Sequence, residues 1–252
     1  MGRAGPGRVP GVAARARIQG RALTPAAMVT ISHMPDHSLV LDLALTVRHD
    51  GHGGVADDLS GLEGLTVWVR EHAAALAGDP HPAADAFAAD AFVAGTFTAD
   101  TFTADDDALA AVRALRAAVR ALFARAVRPD PPSAADAQRL LPVEMALELL
   151  NTAAAAVPTA PRLQWPEGGD PYTVHQGTGT PDAATALCAA LARAAVDFLT
   201  GPDRARLRAC HAPRCVRYFL KEHPRQEWCG PSCGNRARVA RHQRRHRAPT
   251  GP

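Results

Sequence analysis

The chain has 252 residues, 47% hydrophobic and only 5% aromatic, enough for one large or two small domains with an aliphatic core. The net charge of +3 conceals an asymmetry, because residues 201–252 carry thirteen Lys/Arg and three Asp/Glu whereas the other 200 residues sum to −7. Neither a secretory signal nor a membrane-spanning helix is expected, and the odd number of cysteines favours the reducing cytoplasm.

The first elements in the chain are short and joined by loops. Residues 1–34 are rich in glycine, proline and arginine and predict a disordered basic N-terminus. LVLDLALTV at 39–47 fits either a helix or a buried strand, and the Gly/Asp-rich stretch 48–61 predicts a loop. Residues 62–78 predict an amphipathic helix that ends at Gly78 and has one apolar face, formed by Leu62, Leu65, Val69 and Leu76.

The middle of the chain predicts a helical domain with one small β-hairpin. Phenylalanine recurs every five residues at Phe87, Phe92, Phe97 and Phe102, a period that fits neither a helix nor a strand, and we assign it no chemistry. Residues 105–127 give the strongest helix signal, since three aspartates open it and arginines follow. A further helix at 131–156 is interrupted at Pro142, and PRLQW with YTVHQ predicts the hairpin.

A helix at 180–201 precedes the basic segment and contains the isolated thiol of Cys188. This cysteine lies in the apolar stripe of that helix and is interpreted as a small buried hydrophobe. Asp42, His49, Asp50 and His52 form a titratable cluster, which is the alternative of a catalytic site. It lacks a recognisable nucleophile–base arrangement, so we expect a protein that is not an enzyme.

Four of the five cysteines lie near the end, in the spacing Cys210-x4-Cys215-x13-Cys229-x3-Cys233. Two close pairs suit one tetrahedral Zn²⁺ bound by four thiolates. Four unrelated free cysteines, or two disulfides, are the alternatives, but the pairing and the turn residues favour the metal. His211 and His223 are possible substitute ligands, although four sulfurs already complete the coordination and leave no position for a catalytic water.

WCGPSCGNRARVARH, with the Cys210–Cys215 pair and Phe219 upstream, resembles the CGNR zinc finger family. That family carries an upstream helical domain called ABATE, whose description names a stress-induced transcription regulator. LVLDLALTV, LEGLTVWVREH and LPVEMALELLN stand where its elements would lie. The resemblance implies a mainly α fold, α+β by virtue of a small β-hairpin. A helical domain at 35–200 would precede a small zinc-ribbon or treble-clef-like module at 203–247 and a tail at 248–252.

The residues of the CGNR tetrapeptide have physical roles of their own. Cys233 would ligate from the first turn of a helix, and Gly234 would let the backbone pass close to the metal. Asn235 could cap the helix or hydrogen-bond a thiolate, and Arg236 could pair with the negative metal centre or with a phosphate. Trp228 is interpreted as the miniature core of the module, with base stacking as the alternative.

The helix that follows is almost entirely polar and strongly basic. Zinc ligation anchors its start, and an anion is needed to neutralise the rest, because guanidinium groups match phosphate geometry. A solvated, fraying tail is the alternative. The predicted nucleic-acid contacts are Arg236, Arg238, Arg241, Arg244, Arg245 and Arg247.

We therefore expect a cytoplasmic, zinc-dependent nucleic-acid-binding protein with one Zn²⁺ per chain, DNA being preferred over RNA as the partner. A DNA-binding transcriptional regulator is the favoured function. The alternative is a zinc-stabilised docking module that meets an acidic protein, or the chain's own acidic part, without touching nucleic acid. The zinc module is expected to unfold without metal while the helical domain stays folded.

Overall fold

The computed structural model describes residues 1–2, 38–50, 54–77, 99–133, 135–165, 167–168, 171–177 and 181–247. The chain packs as two units, Met1–Asp36 and His37–Pro252, and every element described below belongs to the second. The predicted disorder of 1–34, apart from the first two residues, lies outside the described residues. So do the predicted tail 248–252 and the first three repeated phenylalanines.

Seven α-helices and three two-stranded antiparallel sheets form the regular structure of the described residues, which confirms the mainly helical fold class. Short 3₁₀ turns precede α4, α5 and β5. In chain order the elements are α1 (Leu39–Leu45), β1 (Val47–His49), β2 (Val55–Asp57), α2 (Leu62–Glu71), α3 (Ala73–Ala77), α4 (Asp106–Ala126), α5 (Val143–Ala155), β3 (Thr159–Gln164), β4 (Tyr172–Gly177), α6 (Ala183–Thr200), β5 (Leu207–Ala209), β6 (Tyr218–Leu220) and α7 (Pro231–Arg247).

Helix α4 is the central element, since α1, α2, α5 and α6 all contact it. Its start is capped by Asp105, whose Oδ1 accepts a hydrogen bond of 2.8 Å from the backbone N–H of Ala108. Leu109, Val112 and Val119 recur at helical spacing on its buried face. The prediction of a long, acid-capped helix at this place is confirmed.

Helix α6 packs against α1, α4 and α5 and is long and largely apolar. By length and composition alone it could cross a membrane, which the sequence analysis did not expect. Leu187 and Leu191 are nevertheless completely buried within the protein. Cys188 is also buried, and this burial raises the pKa of its thiol to about 11. The prediction that Cys188 is a buried hydrophobe is confirmed.

Three features of the first part depart from the sequence predictions. Residues 39–45 form a helix, not a strand. The predicted loop at 48–61 holds most of β1 and all of β2, which pair from Val47 opposite Asp57 to His49 opposite Val55. The predicted helix at 62–78 breaks at His72, whose Nδ1 lies 2.8 Å from the Trp68 carbonyl oxygen. The His72 N–H also donates to this carbonyl, at 3.1 Å, so α2 ends here with this backbone hydrogen bond formed. Leu62, assigned to the apolar face, is 38% exposed.

The cysteine-rich segment shares its core with the helical domain. Leu207 and Ala209 of β5 and Tyr218 of β6 belong to the same buried cluster as the core of α4 and α6. The ring of Phe123 lies 5.1 Å from that of Phe198 and 5.5 Å from that of Tyr218, measured between centroids. The expectation that the helical domain stays folded without metal stays a prediction, and the continuous apolar surface of the two parts favours a joint loss of stability instead. The boundary between 200 and 203 stays a prediction.

Candidate metal centre and basic helix

The four predicted ligand sulfurs converge at one point between β5, β6 and the start of α7. Each of the four Sγ atoms lies within 4.8 Å of the other three. Cys210, Cys215 and Cys233 are buried, and Cys229 is half-buried. The predicted cysteine set is thus brought together, whereas Cys188 lies elsewhere, in α6.

Local backbone geometry explains why the first pair of cysteines converges. The Cys210 N–H donates to the Arg217 carbonyl and the Cys215 N–H to the Ala212 carbonyl, which closes a tight turn between the two sulfurs. Arg214 adopts a left-handed conformation, with φ of 62°, at the tip of that turn. The four residues between Cys210 and Cys215 are therefore enough to point two thiols the same way.

The second pair is set by the start of α7. Cys233 stands in the first turn of the helix, as predicted, and its N–H donates to the Gly230 carbonyl. Gly234 faces Trp228, and a Cβ at this position would lie 3.2 Å from the indole Cδ1. The absence of a side chain at Gly234 therefore lets the indole pack against the helix, in addition to the predicted role near the metal.

The separations between the sulfurs fit a tetrahedral zinc ion. With Zn–S bonds of about 2.3 Å, the edges of an ideal tetrahedron measure about 3.8 Å. The sulfur of Cys215 lies 3.8 Å from that of Cys229 and 3.7 Å from that of Cys233, and the Cys229–Cys233 separation is 3.4 Å. The four cysteines form a zinc-binding site, and the predicted cofactor is confirmed.

The thiols need a cation to become four thiolates together. Hydrogen bonds from the Cys215 and Cys229 thiols lower the pKa of Cys210 to about 2. The reciprocal interaction with Cys210 raises the pKa of Cys215 to about 12 and raises that of Cys229 as well. Without a metal the sulfurs share protons, so metal binding must release protons and weaken as the pH falls. Zinc supplies structural cross-linking here, since all four positions are filled by sulfur.

Arg236 points towards the metal centre and away from the exposed side of α7. Its Nη2 donates to the Cys233 Sγ at 2.9 Å, and its Nη1 lies 3.3 Å from Nδ1 of His49 in β1. The guanidinium thus offsets part of the negative charge of the tetrathiolate and ties α7 to the helical domain. Asn235 instead accepts a hydrogen bond of 3.1 Å from Arg238 Nη1.

The exposed face of α7 is a row of arginines, here called the arginine face and formed by Arg238, Arg241, Arg244 and Arg245. All four are exposed, and within the described part of the chain none forms an ion pair. Arg247 is the last residue of the helix, and its side chain lies outside the described set. Val239 is 55% exposed, so little burial supports this helix beyond the metal anchor.

A buried polar network, missed by the sequence analysis, joins the zinc centre to the helical domain. In the described chain the buried polar residues are Thr46, Arg116, Arg120, Ser133 and Asp136. Arg120 pairs with Asp136 at 2.8 Å and donates to the carbonyls of Ala44 and Val216, at 2.6 and 2.7 Å. The Ser133 hydroxyl donates to the Cys215 carbonyl. The four-residue spacing of Arg116 and Arg120, on the same face as Val112 and Val119, was the signal available in the sequence.

The described titratable residues of the candidate catalytic group each have a contact outside that group. Asp42 faces His72, with 3.6 Å between Oδ2 and Nε2, and Asp50 Oδ1 accepts a hydrogen bond from the Gly54 N–H. His49 faces Arg236, and His52 lies outside the described residues. The described members therefore have separate, structural partners.

A helical domain fused through one core to a four-cysteine zinc centre defines a zinc-finger protein. Residues 37–202 match the ABATE family, described as "Putative stress-induced transcription regulator", and residues 206–246 match the CGNR zinc finger. The ABATE match spans more than half of the chain, so the chain belongs to the ABATE family, and it carries a CGNR zinc finger after that domain. No curated protein matches the chain.

Proposed function

We propose that this protein is a zinc-dependent DNA-binding regulator whose arginine face contacts the phosphate backbone. The observation that carries the proposal is the exposure of Arg238, Arg241, Arg244 and Arg245 on one side of a metal-anchored helix, with no carboxylate partner among the described residues. The family description supports a regulatory role. Arg236 is set apart from these contacts, because it faces the metal centre.

Phosphate contacts supply affinity but carry no sequence information. The arginine face contains no Asn or Gln to read adenine, so we expect binding that is largely independent of sequence at low salt. DNA is preferred over RNA as the partner because the family is described as a transcription regulator.

The docking alternative is supported by one observation, namely that the zinc segment does dock against the helical domain. That docking uses Tyr218, Val216 and His211, through the shared core and hydrogen bonds to Arg120 and Pro131. The arginine face takes no part in these contacts. The arginines therefore remain available for a partner outside the described chain, and we favour nucleic acid.

The proposal is tested by the salt dependence of duplex DNA binding with the full-length, zinc-loaded protein. If about four phosphates are engaged, log K falls with log salt at a slope of about −3.6. Replacing Arg244 and Arg245 together by alanine reduces the magnitude of that slope by up to about 2 and weakens all sequences alike. Replacing the exposed Arg128 and Arg139 by alanine makes the same charge change elsewhere and leaves the slope unchanged.

Equal slopes for the two double variants would contradict the proposal. Each variant must retain one zinc per chain, so that a change in binding reports the arginines and not the fold. If the zinc-loaded protein does not bind duplex DNA at low salt, the proposal is wrong and the arginine face is assigned to an acidic protein partner instead.

A further inference from the structure

A groove lies beside the zinc centre and next to the arginine face. It has a volume of about 490 Å³, within the range of about 300–1,000 Å³ typical of sites for small organic ligands. Trp228 and His211 line one side, and α7 lines the other. The groove is therefore bounded by an aromatic wall and a helix.

The helical wall combines small and cationic side chains. Ala237 and Ala240 leave space next to the indole, and Arg241 and Arg244 stand at the same wall. These positions follow the spacing i, i+3, i+4 and i+7, so they form one stripe of α7. Two of the four members of the arginine face thus border the groove.

The aromatic wall is held in place on its inner side. The five-membered ring of Trp228 packs against Gly234, and the residue next in sequence is the zinc ligand Cys229. Trp228 is only half-buried, so part of its ring remains available to a ligand. His211 is fixed at the rim, because its Nε2 lies 2.8 Å from the Pro131 carbonyl oxygen.

The ligand chemistry follows from these walls. The groove contains two guanidinium groups and one carboxylate, that of Glu227, so its net charge favours an anion. The indole of Trp228 favours a flat ring. A nucleotide unit combines both features. In a duplex each base is stacked on both faces by its neighbours, whereas an unpaired base can stack on an aromatic side chain.

We propose that the groove between Trp228 and α7 binds an unpaired nucleobase of a single strand, with Arg241 and Arg244 holding the adjoining phosphates. The inference rests on the proposed function and deepens it, since it assigns a single-stranded ligand to a site next to the arginine face. Gln243 and Glu227, also in the lining, offer hydrogen bonds to the edge of the base.

The test uses the full-length, zinc-loaded protein and labelled oligothymidine of about 12 nucleotides, measured by fluorescence anisotropy. Ala240→Leu fills the groove and is expected to weaken oligothymidine binding about tenfold or more, the effect of losing one stacked base. Val239→Leu is the matched control, because Val239 is exposed and does not line the groove. It leaves the affinity unchanged.

An abasic strand of the same length separates base from phosphate, and it is expected to bind about tenfold or more weakly than oligothymidine. Oligouridine tells whether the preferred strand is DNA or RNA, and groove-dependent binding of either supports the proposal. Equal binding of the abasic strand, or equal affinities of Ala240→Leu and Val239→Leu, would overturn it. In that case duplex binding with the expected salt slope would leave the proposed function standing. Absence of binding to any strand or duplex would overturn both.

Discussion

Replacing Arg120 by methionine is expected to destabilise the helical domain and the zinc finger together. The guanidinium and the Asp136 carboxylate face each other at 2.8 Å, with side chains only 6% and 4% exposed. The same guanidinium donates to Ala44 in α1 and to Val216 beside the zinc turn. Methionine fills a similar volume but leaves the carboxylate and both carbonyls without this donor.

The magnitude follows from the burial of the charge that remains. Removing one partner of a buried ion pair costs about 3–5 kcal/mol, since the other charge stays in a poorly solvated place. Folded domains are stable by only about 5–15 kcal/mol, so this loss is a large share of the total. We expect Arg120→Met to lower the free energy of unfolding by about 3–5 kcal/mol.

Urea unfolding of the zinc-loaded protein, followed by circular dichroism, measures this loss. Arg125→Met is the control, because Arg125 is an exposed arginine of the same helix and its removal costs less than about 1 kcal/mol. Combining Arg120→Met with Asp136→Leu removes both charges and is expected to recover at least about 2 kcal/mol. A single variant that costs less than about 1 kcal/mol, or strictly additive single and double variants, would refute the reasoning.

Two further predictions concern the metal and the pH. Cys229→Ser is expected to abolish stoichiometric zinc binding and to lower the stability of the whole unit His37–Pro252. The control variant Cys188→Ser is expected to keep one zinc per chain. Metal analysis showing a full equivalent of zinc in Cys229→Ser would disprove the ligand set. Burial lowers the pKa of His72, but Asp42 and the Trp68 carbonyl outweigh it, so the pKa is raised above its usual 6.5. His72 therefore stabilises the fold fully below about pH 6.5 and loses this effect as the pH rises through its folded-state pKa. Thermal unfolding from about pH 6.5 to 8.5 is expected to show a shrinking stability difference between wild type and His72→Gln. A stability difference that stays constant from about pH 6.5 to 8.5 would show that protonation of His72 does not stabilise the fold.

The sequence predicted those elements whose signals are local. Helix α4 begins directly after Asp105 because three aspartates precede a long run with helical periodicity, and both the cap and the period are written in adjacent residues. The zinc ligands were equally readable, because the two close cysteine pairs each need only a short turn to present two sulfurs.

Contacts between distant residues could not be predicted in the same way. Exposed and buried arginines look alike in sequence. The partners of Arg116 and Arg120 lie between 16 and 96 residues away, so the sequence did not predict them. Strands β1 and β2 have only three residues each, too few to show alternation. The link from Arg236 to His49 spans 187 positions and depends on the complete fold.

The shared core has a consequence for how such proteins can be recombined. The two family matches meet between residues 202 and 206, yet the aromatic contact from Phe123 to Tyr218 crosses that junction. A gene fusion that exchanged only the finger would leave one half with an uncovered aromatic surface and the other half without its scaffold. The helical domain and the finger are thus transferable only together. A chimera joined at residues 202–206 is expected to pack poorly unless the two parts come from matching proteins.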